Sequence, residues 1–356
     1  MERITKNLLQ KLPKVELHCH LDGSLNSKTI VELAEKQKVN LPSKDPDELN
    51  NILSLGDKRV SLEEYLEKFK ITLSVLQTPE SLERTAFELT EEIAKENVRY
   101  IEVRYSPILH TKKGMTPEES VDAVLKGLRA GKNEFGVKSG IIICGIRSIS
   151  PEISLQLAKL TLKYKNKGVV GFDLAGAEEN FPAKDHKDAF FFILNNNLNA
   201  TIHAGEAFGP SSIHQAIHYC GAHRIGHGTR LKEDMDLMNY VADHRITLEV
   251  CLTSNWQTRS IASLKEHPFK FYYDRDIRVT LNTDNRLISN TTLTKEFYLA
   301  HELFDLSLHD FRKLTITAMK SSFLPHNQRK KMIRSIAEEL EDDFGLMPEF
   351  INQIKV

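Results

Sequence analysis

Four short stretches of this 356-residue chain place metal-binding or proton-carrying side chains where a strand would end. The first, VELHCHLDGS, carries His18 and His20 two residues apart. In an extended segment that spacing sends both imidazoles to one face and Cys19 to the other, so the two rings can converge on one point. A His-x-His pair by itself is equally an ordinary pair of polar residues. Asp22 follows near the same mouth, where it either meets a substrate or caps the next helix. The second stretch, NATIHAGEAFG, puts His203 at a strand terminus and Glu206 three residues on, with Gly205 free to turn the backbone between them. A polar pair opening a helix would look the same. The third, IGHGT, holds His227 between glycines that allow a backbone or ligand to approach closely. The fourth, LNTDN, sets Asp284 and Asn285 after an apolar run, where helix capping is the plain alternative.

The elements that must position these residues repeat along the chain: a short β-rich apolar run, then a longer segment with helical periodicity. Eight runs read as strands, over residues 15–18, 100–105, 140–146, 169–174, 200–203, 224–227, 246–251 and 278–283. The alternation means α/β, and eight strands fit a (β/α)8 TIM barrel formed by residues 1–356 as a single domain. No Gly/Ser/Pro linker or repeat divides it. A doubly wound open sheet is the competing layout. Isolated helix caps and ordinary histidines would not fall together at the C-terminal ends of strands one, five, six and eight, which a barrel gathers at one mouth. There His18, His20, His203 and Asp284 form a nitrogen and oxygen shell suited to one zinc ion, or another borderline divalent metal, with a position open for water. Such an ion brings the pKa of water to around neutrality, which implies a hydrolase. Glu206 and His227 are left to carry protons from the nucleophile and to the leaving group.

Between the first two strands lie about 80 residues, more than one loop and one helix need. This helical insertion, about 25–98, contains SLEEYLEKFKITLSVLQ, where Leu62, Tyr65, Leu66 and Phe69 recur at helical spacing as one apolar stripe. The stripe either packs a helix on the core or caps a pocket for an apolar ring. The 48 basic and 49 acidic side chains nearly cancel, so no overall field draws the chain to nucleic acid or an anionic membrane, and a small-molecule partner is expected. No apolar run approaches the roughly 18 residues of a membrane-spanning helix. The first residues, MERITKNLLQKLPK, lack the features of a secretory signal, and Cys19, Cys144, Cys220 and Cys251 show no Cys-x-x-Cys spacing. A cytoplasmic protein with reduced, mostly buried thiols is expected. The other ten histidines, His267 among them, carry no assignment, and most read as surface or packing residues.

The set VELHCHLDGS, VVGFDLAGAE, TIHAGE, RIGHGT, LEVCLTSN and TLNTDN, in this order and spacing, resembles the adenosine deaminase family of the amidohydrolase superfamily over almost the whole chain, its bacterial members in particular. The resemblance implies that His18, His20, His203 and Asp284 hold zinc, that Glu206 protonates the purine N1, and that His227 orients or deprotonates the attacking water. Adenosine, or 2′-deoxyadenosine, would become inosine or its deoxy form with loss of ammonia. It further implies that His20 and Asp22 face the substrate, Asp22 at the ribose, that the Gly176 N–H donates to purine N3, and that Leu62, Tyr65, Leu66 and Phe69 belong to a mobile lid. Deaminases of adenine, AMP, N6-methyl-AMP or modified nucleosides share much of this residue set. A nucleotide would need added cationic or helix-terminal groups for its phosphate, and no such cluster lies near the motifs. Phosphoester or lactone cleavage would use two bridged metals, for which no second ligand set stands out. A metal-stabilised binding protein would have no use for the spare acid Glu206.

One position departs from the family pattern: many members carry a second aspartate after the metal-binding one, where this chain has Asn285. That residue faces purine N7, an acceptor only, so an aspartate must be protonated to donate whereas an asparagine amide donates at any pH. Asn285→Asp is therefore expected to keep activity while substrate binding weakens as pH rises. A binding profile flat across neutral pH would contradict this.

Overall fold

Eight parallel strands in sequence order form one sheet: β1 (Lys14–His20), β2 (Val98–Tyr105), β3 (Lys138–Ile146), β4 (Val169–Ala175), β5 (Asn199–Ala204), β6 (Arg224–His227), β7 (Thr247–Val250) and β8 (Val279–Leu281). The computed structural model describes residues 4–347; residues 1–3 and 348–356, which the single-domain reading includes, lie outside the described residues. All eight expected runs are strands, and helices between them cover the outer face, as in a (β/α)8 barrel. The open-sheet alternative fails at the seam between the first and last strands. There the His20 N–H donates to the Asp284 carbonyl (2.7 Å), the Asp284 N–H donates to the His18 carbonyl (2.9 Å), and the Leu17 N–H donates to Asn282 Oδ1 (2.9 Å).

Two boundaries differ from expectation in a way that matters. β1 runs on to His20, so both imidazoles lie on one face of a regular strand. β8 stops at Leu281, yet Asp284, three residues on at a left-handed φ of 61°, still bridges to Cys19 of β1.

The barrel interior is ionic. Glu102, Arg104, Asp173, Arg224 and Glu249 are all buried. Arg104 donates to Asp173 (2.9 Å), Glu249 (2.7 Å) and the Leu17 carbonyl (2.6 Å). Arg224 donates to Glu249 and to Glu102, each at 2.6 Å. Thr201 Oγ1 adds a bond to Glu249 at 2.9 Å. Burial alone would raise Glu249, but the Arg104 and Arg224 guanidiniums outweigh it and hold the carboxyl well below its usual range.

After β1 come helices Ser27–Gln37, Pro46–Leu53, Leu62–Glu67 and Phe69–Val75; Pro79–Ala94 then packs on Pro117–Phe135 in the outer ring. The stripe expected on one helix thus spans two, separated at Lys68, whose ammonium bonds the Ile52 carbonyl at 2.7 Å. The segment is fastened to the loops after β7 and β8. Leu55 N–H donates to Ile288 O and Val60 N–H to Gln257 O, each at 2.8 Å, and Tyr65 Oη meets Ser289 Oγ at 2.8 Å. Among the described residues no helix is long and apolar enough to cross a membrane, and the four cysteines are free and buried.

Arg224→Met leaves Glu102 and Glu249 short of a partner, so it should lower the unfolding free energy by about 3–5 kcal/mol, read as a fall in denaturant midpoint at unchanged slope. A loss under about 1 kcal/mol would mean that the ion pairs are not what holds the interior together.

Candidate active site

His18, His20, His203 and Asp284 bring one ligand atom each to within 4.8 Å of one another, and they are the one such cluster of metal-ligating type among the described residues. Their hydrogen bonds decide which atoms face the centre. His18 Nδ1 meets the Glu249 carboxylate at 2.9 Å and His203 Nδ1 meets that of Asp173 at 3.1 Å. A carboxylate only accepts, so both Nδ1 atoms carry protons, and in the neutral rings both Nε2 atoms present lone pairs. The lone pair of His18 points at another acceptor. His18 Nε2 lies 3.3 Å from Asp284 Oδ1 and makes no hydrogen bond. His203 Nε2 lies 3.1 Å from His20 Nε2, which is itself 3.4 Å from Asp284 Oδ1. A bare His18 Nε2 facing a carboxylate oxygen is repelled unless a cation sits between them, so the donor set fits a divalent metal with its outer carboxylates already in place. Ser254 Oγ donates to the other Asp284 oxygen at 2.6 Å.

Glu206 and His227 stand beside this centre, with His227 Nε2 3.4 Å from Glu206 Oε2. Gly205 takes φ 73°, and a Cβ there would lie 2.5 Å from Ile213, so only glycine makes the turn from His203 to Glu206. At Gly226 a Cβ would press on the His18 ring at 3.0 Å. Its absence lets the imidazoles of β1 and β6 lie side by side. The Glu178 carboxylate accepts from four successive N–H groups, those of Gly205, Glu206, Ala207 and Phe208, at 2.6–3.0 Å, which fixes the backbone that carries Glu206. Burial, with the charges of Asp284 and Glu178 adding to it, holds the Glu206 carboxyl well above its usual range. The Thr258 hydroxyl lies 2.9 Å from Glu206 Oε1 and 3.0 Å from the Ser254 carbonyl.

A cavity of about 400 Å³ opens over the centre. His20, Asp22, Leu62, Tyr65, Leu66, Phe69, Gly176, His203, Glu206, His227, Asp284 and Asn285 line it, so every candidate residue except the deeper His18 reaches the same space. The capping alternatives fail. The helices that follow are capped by Asn26, Gly209 and Thr292, not by Asp22, Glu206, Asp284 or Asn285. Asp22 Oδ1 and Asn285 Oδ1 are buried without a hydrogen-bond partner, and burial raises the Asp22 carboxyl to about 7. Sequence reasoning gave no role to Asp173, Glu249, Glu178, Ser254, Asn255, Thr258 or His267. A signal existed for the first two, since a lone carboxylate inside an apolar strand of a closed barrel must find a buried partner. His267, one of the histidines without an assignment, is buried and bonded to Asn255.

The "Adenosine deaminase" family model matches residues 13–339. An adenosine deaminase of Mycobacterium ulcerans is 41% identical over 349 residues, covering 93% of this chain and 96% of that protein. A probable adenosine deaminase of Dictyostelium discoideum is 40% identical over 91% of this chain, which spans 42% of that longer protein. Among solved structures, adenine deaminase of Arthrobacter aurescens superposes with a TM-score of 0.86 at 25% identity, covering 93% of this chain and 99% of that one. An Arabidopsis N6-mAMP deaminase superposes with a TM-score of 0.83 at 29% identity, covering 93% and 98%. With residues 13–339 matched and relatives at about 40% identity across its length, the chain belongs to the adenosine deaminase family.

Proposed function

We propose that the chain converts adenosine and 2′-deoxyadenosine to inosine and deoxyinosine with release of ammonia, using one zinc ion per chain. The observation that carries this reading is the convergence of three imidazoles and a carboxylate beside a buried acid, Glu206, at the floor of one cavity. His18, His20, His203 and Asp284 would hold the ion; three nitrogens and one oxygen favour zinc over harder cations that prefer all-oxygen shells. When bound, it would supply Lewis-acid activation of water at neutral pH.

The chain's own groups do the rest. The protonated Glu206 donates to purine N1, which draws electrons from C6 and opens it to attack. His227 orients the incoming water. An oxygen–C6 bond forms and the C6–amine bond breaks; of the two water protons, one ends on N1 and one leaves with the ammonia. Asp22 and His20 face the ribose, the Gly176 N–H donates to N3 and the Asn285 amide to N7. Leu62, Tyr65, Leu66 and Phe69 cover the base as a lid, within one domain whose insertion spans about 25–98. Closing that cover over the cavity excludes water that would compete with these hydrogen bonds. Four free, buried thiols support a cytoplasmic setting.

A nucleoside is favoured over a nucleotide by the cavity wall. Lys70 is its one lysine, and that ammonium is paired with Glu67 on the surface. Adenine or a 6-aminopurine nucleotide is the second reading, favoured by the likeness to adenine deaminase and N6-mAMP deaminase.

Ultraviolet absorbance tests the proposal with adenosine, deoxyadenosine, adenine and AMP, each with and without a strong chelator. Turnover of the two nucleosides alone, lost with the metal, is expected; silence on both nucleosides with turnover of adenine or AMP would overturn the substrate. Glu206→Gln should lower kcat by about 10²–10⁴-fold, and a variant that keeps wild-type kcat would remove Glu206 from the chemistry.

A further inference from the structure

His227 sits at the end of a chain of hydrogen bonds that starts from a backbone amide. The Phe269 N–H donates to His267 Nδ1 at 3.0 Å. A peptide N–H can only donate, so His267 Nδ1 is bare and the neutral ring carries its proton on Nε2. Burial agrees, pulling the His267 imidazole down to about 3. His267 Nε2 lies 3.2 Å from Asn255 Oδ1, to which it donates, and this fixes which end of the amide faces which way. The Asn255 Nδ2 group is then turned to His227 Nδ1, 2.9 Å away, and donates to it. All three side chains are buried, so no water competes for these contacts. An imidazole whose Nδ1 accepts a hydrogen bond is neutral and holds its proton on Nε2, the atom that faces Glu206 and the cavity.

We infer that Asn255 and His267 are positioning residues that lock His227 as the Nε2–H tautomer, so that it meets the attacking water as a hydrogen-bond donor and not as a proton acceptor. Of the two roles open to His227, orienting or deprotonating the water, the relay selects the first. Nε2–H donates to a lone pair of the water oxygen and leaves another aimed at C6. The His227 backbone takes a left-handed φ of 65°. The inference rests on the deaminase reading only for what the donor acts on; the tautomer can be measured without turnover, so the two fail separately.

The test is ¹⁵N NMR of zinc-loaded enzyme with labelled histidine rings, His227 being assigned by the signals that vanish in His227→Gln. A protonated, pyrrole-like Nε2 and a bare, pyridine-like Nδ1 are expected. A bare Nε2, or protons on both nitrogens, overturns the inference. Asn255→Asp gives a second reading: the carboxylate only accepts, so the proton should move to Nδ1, and kcat should fall by about 10²–10⁴-fold with KM within several-fold of the parent. His227 signals and kcat unchanged in Asn255→Asp would also overturn it. Should that variant fail to fold, the spectrum of the unaltered enzyme decides alone.

Discussion

The Glu249 carboxylate is the contact on which the rest of the molecule depends. It accepts from Arg104, Arg224, Thr201 and His18, tying four strands to its own at the axis of the barrel. A charge in this interior is tolerable only because every oxygen has a charged or hydrogen-bonding partner. The same contact serves chemistry, since the proton that His18 gives to Glu249 leaves its other nitrogen bare at the centre. Asp173 does this for His203 while pairing with Arg104. The interior therefore stabilises the fold and fixes the lone pairs of the site through one set of bonds, and neither can be rearranged alone.

Around that axis, neighbouring acids are pushed to opposite proton states. Burial would raise both Asp284 and Glu206. For Glu206 the charges of Asp284 and Glu178 add to it and hold the carboxyl well above its usual range; Asp284 instead accepts from the Ser254 hydroxyl and turns its other oxygen to the ligand centre, where a bound cation would hold it ionised. A ligand and an acid from one residue class, a few ångströms apart, result from which neighbours each one faces. Glu178, bound to four backbone amides, keeps Glu206 near enough to feel this difference.

The helical insertion answers a different need. A barrel mouth with this many polar groups would fill with water, and the segment over residues 55–69 covers it with Leu62, Leu66 and Phe69 on the cavity side. Leu55 and Tyr65 pack on Ile288, beside the loop that carries Asp284 and Asn285, so the cover and the site share one support.

The sequence by itself determined the eight strands, their α/β alternation and the residues at the mouth, because those depend on local terms: two-residue alternation puts His18 and His20 on one face, and Gly205 permits the turn to Glu206 at any site. It also marked the apolar stripe over 62–69, without saying that two helices would carry it. Only the tertiary structure decided which nitrogen of each histidine faces the centre, which acid is protonated, and that Asn255 and His267 stand behind His227. These depend on partners far apart in the chain, such as Glu249 231 residues from His18. A proton's place on an imidazole is set by what the other nitrogen touches. No local spacing encodes that, since the touching group arrives only when the barrel closes.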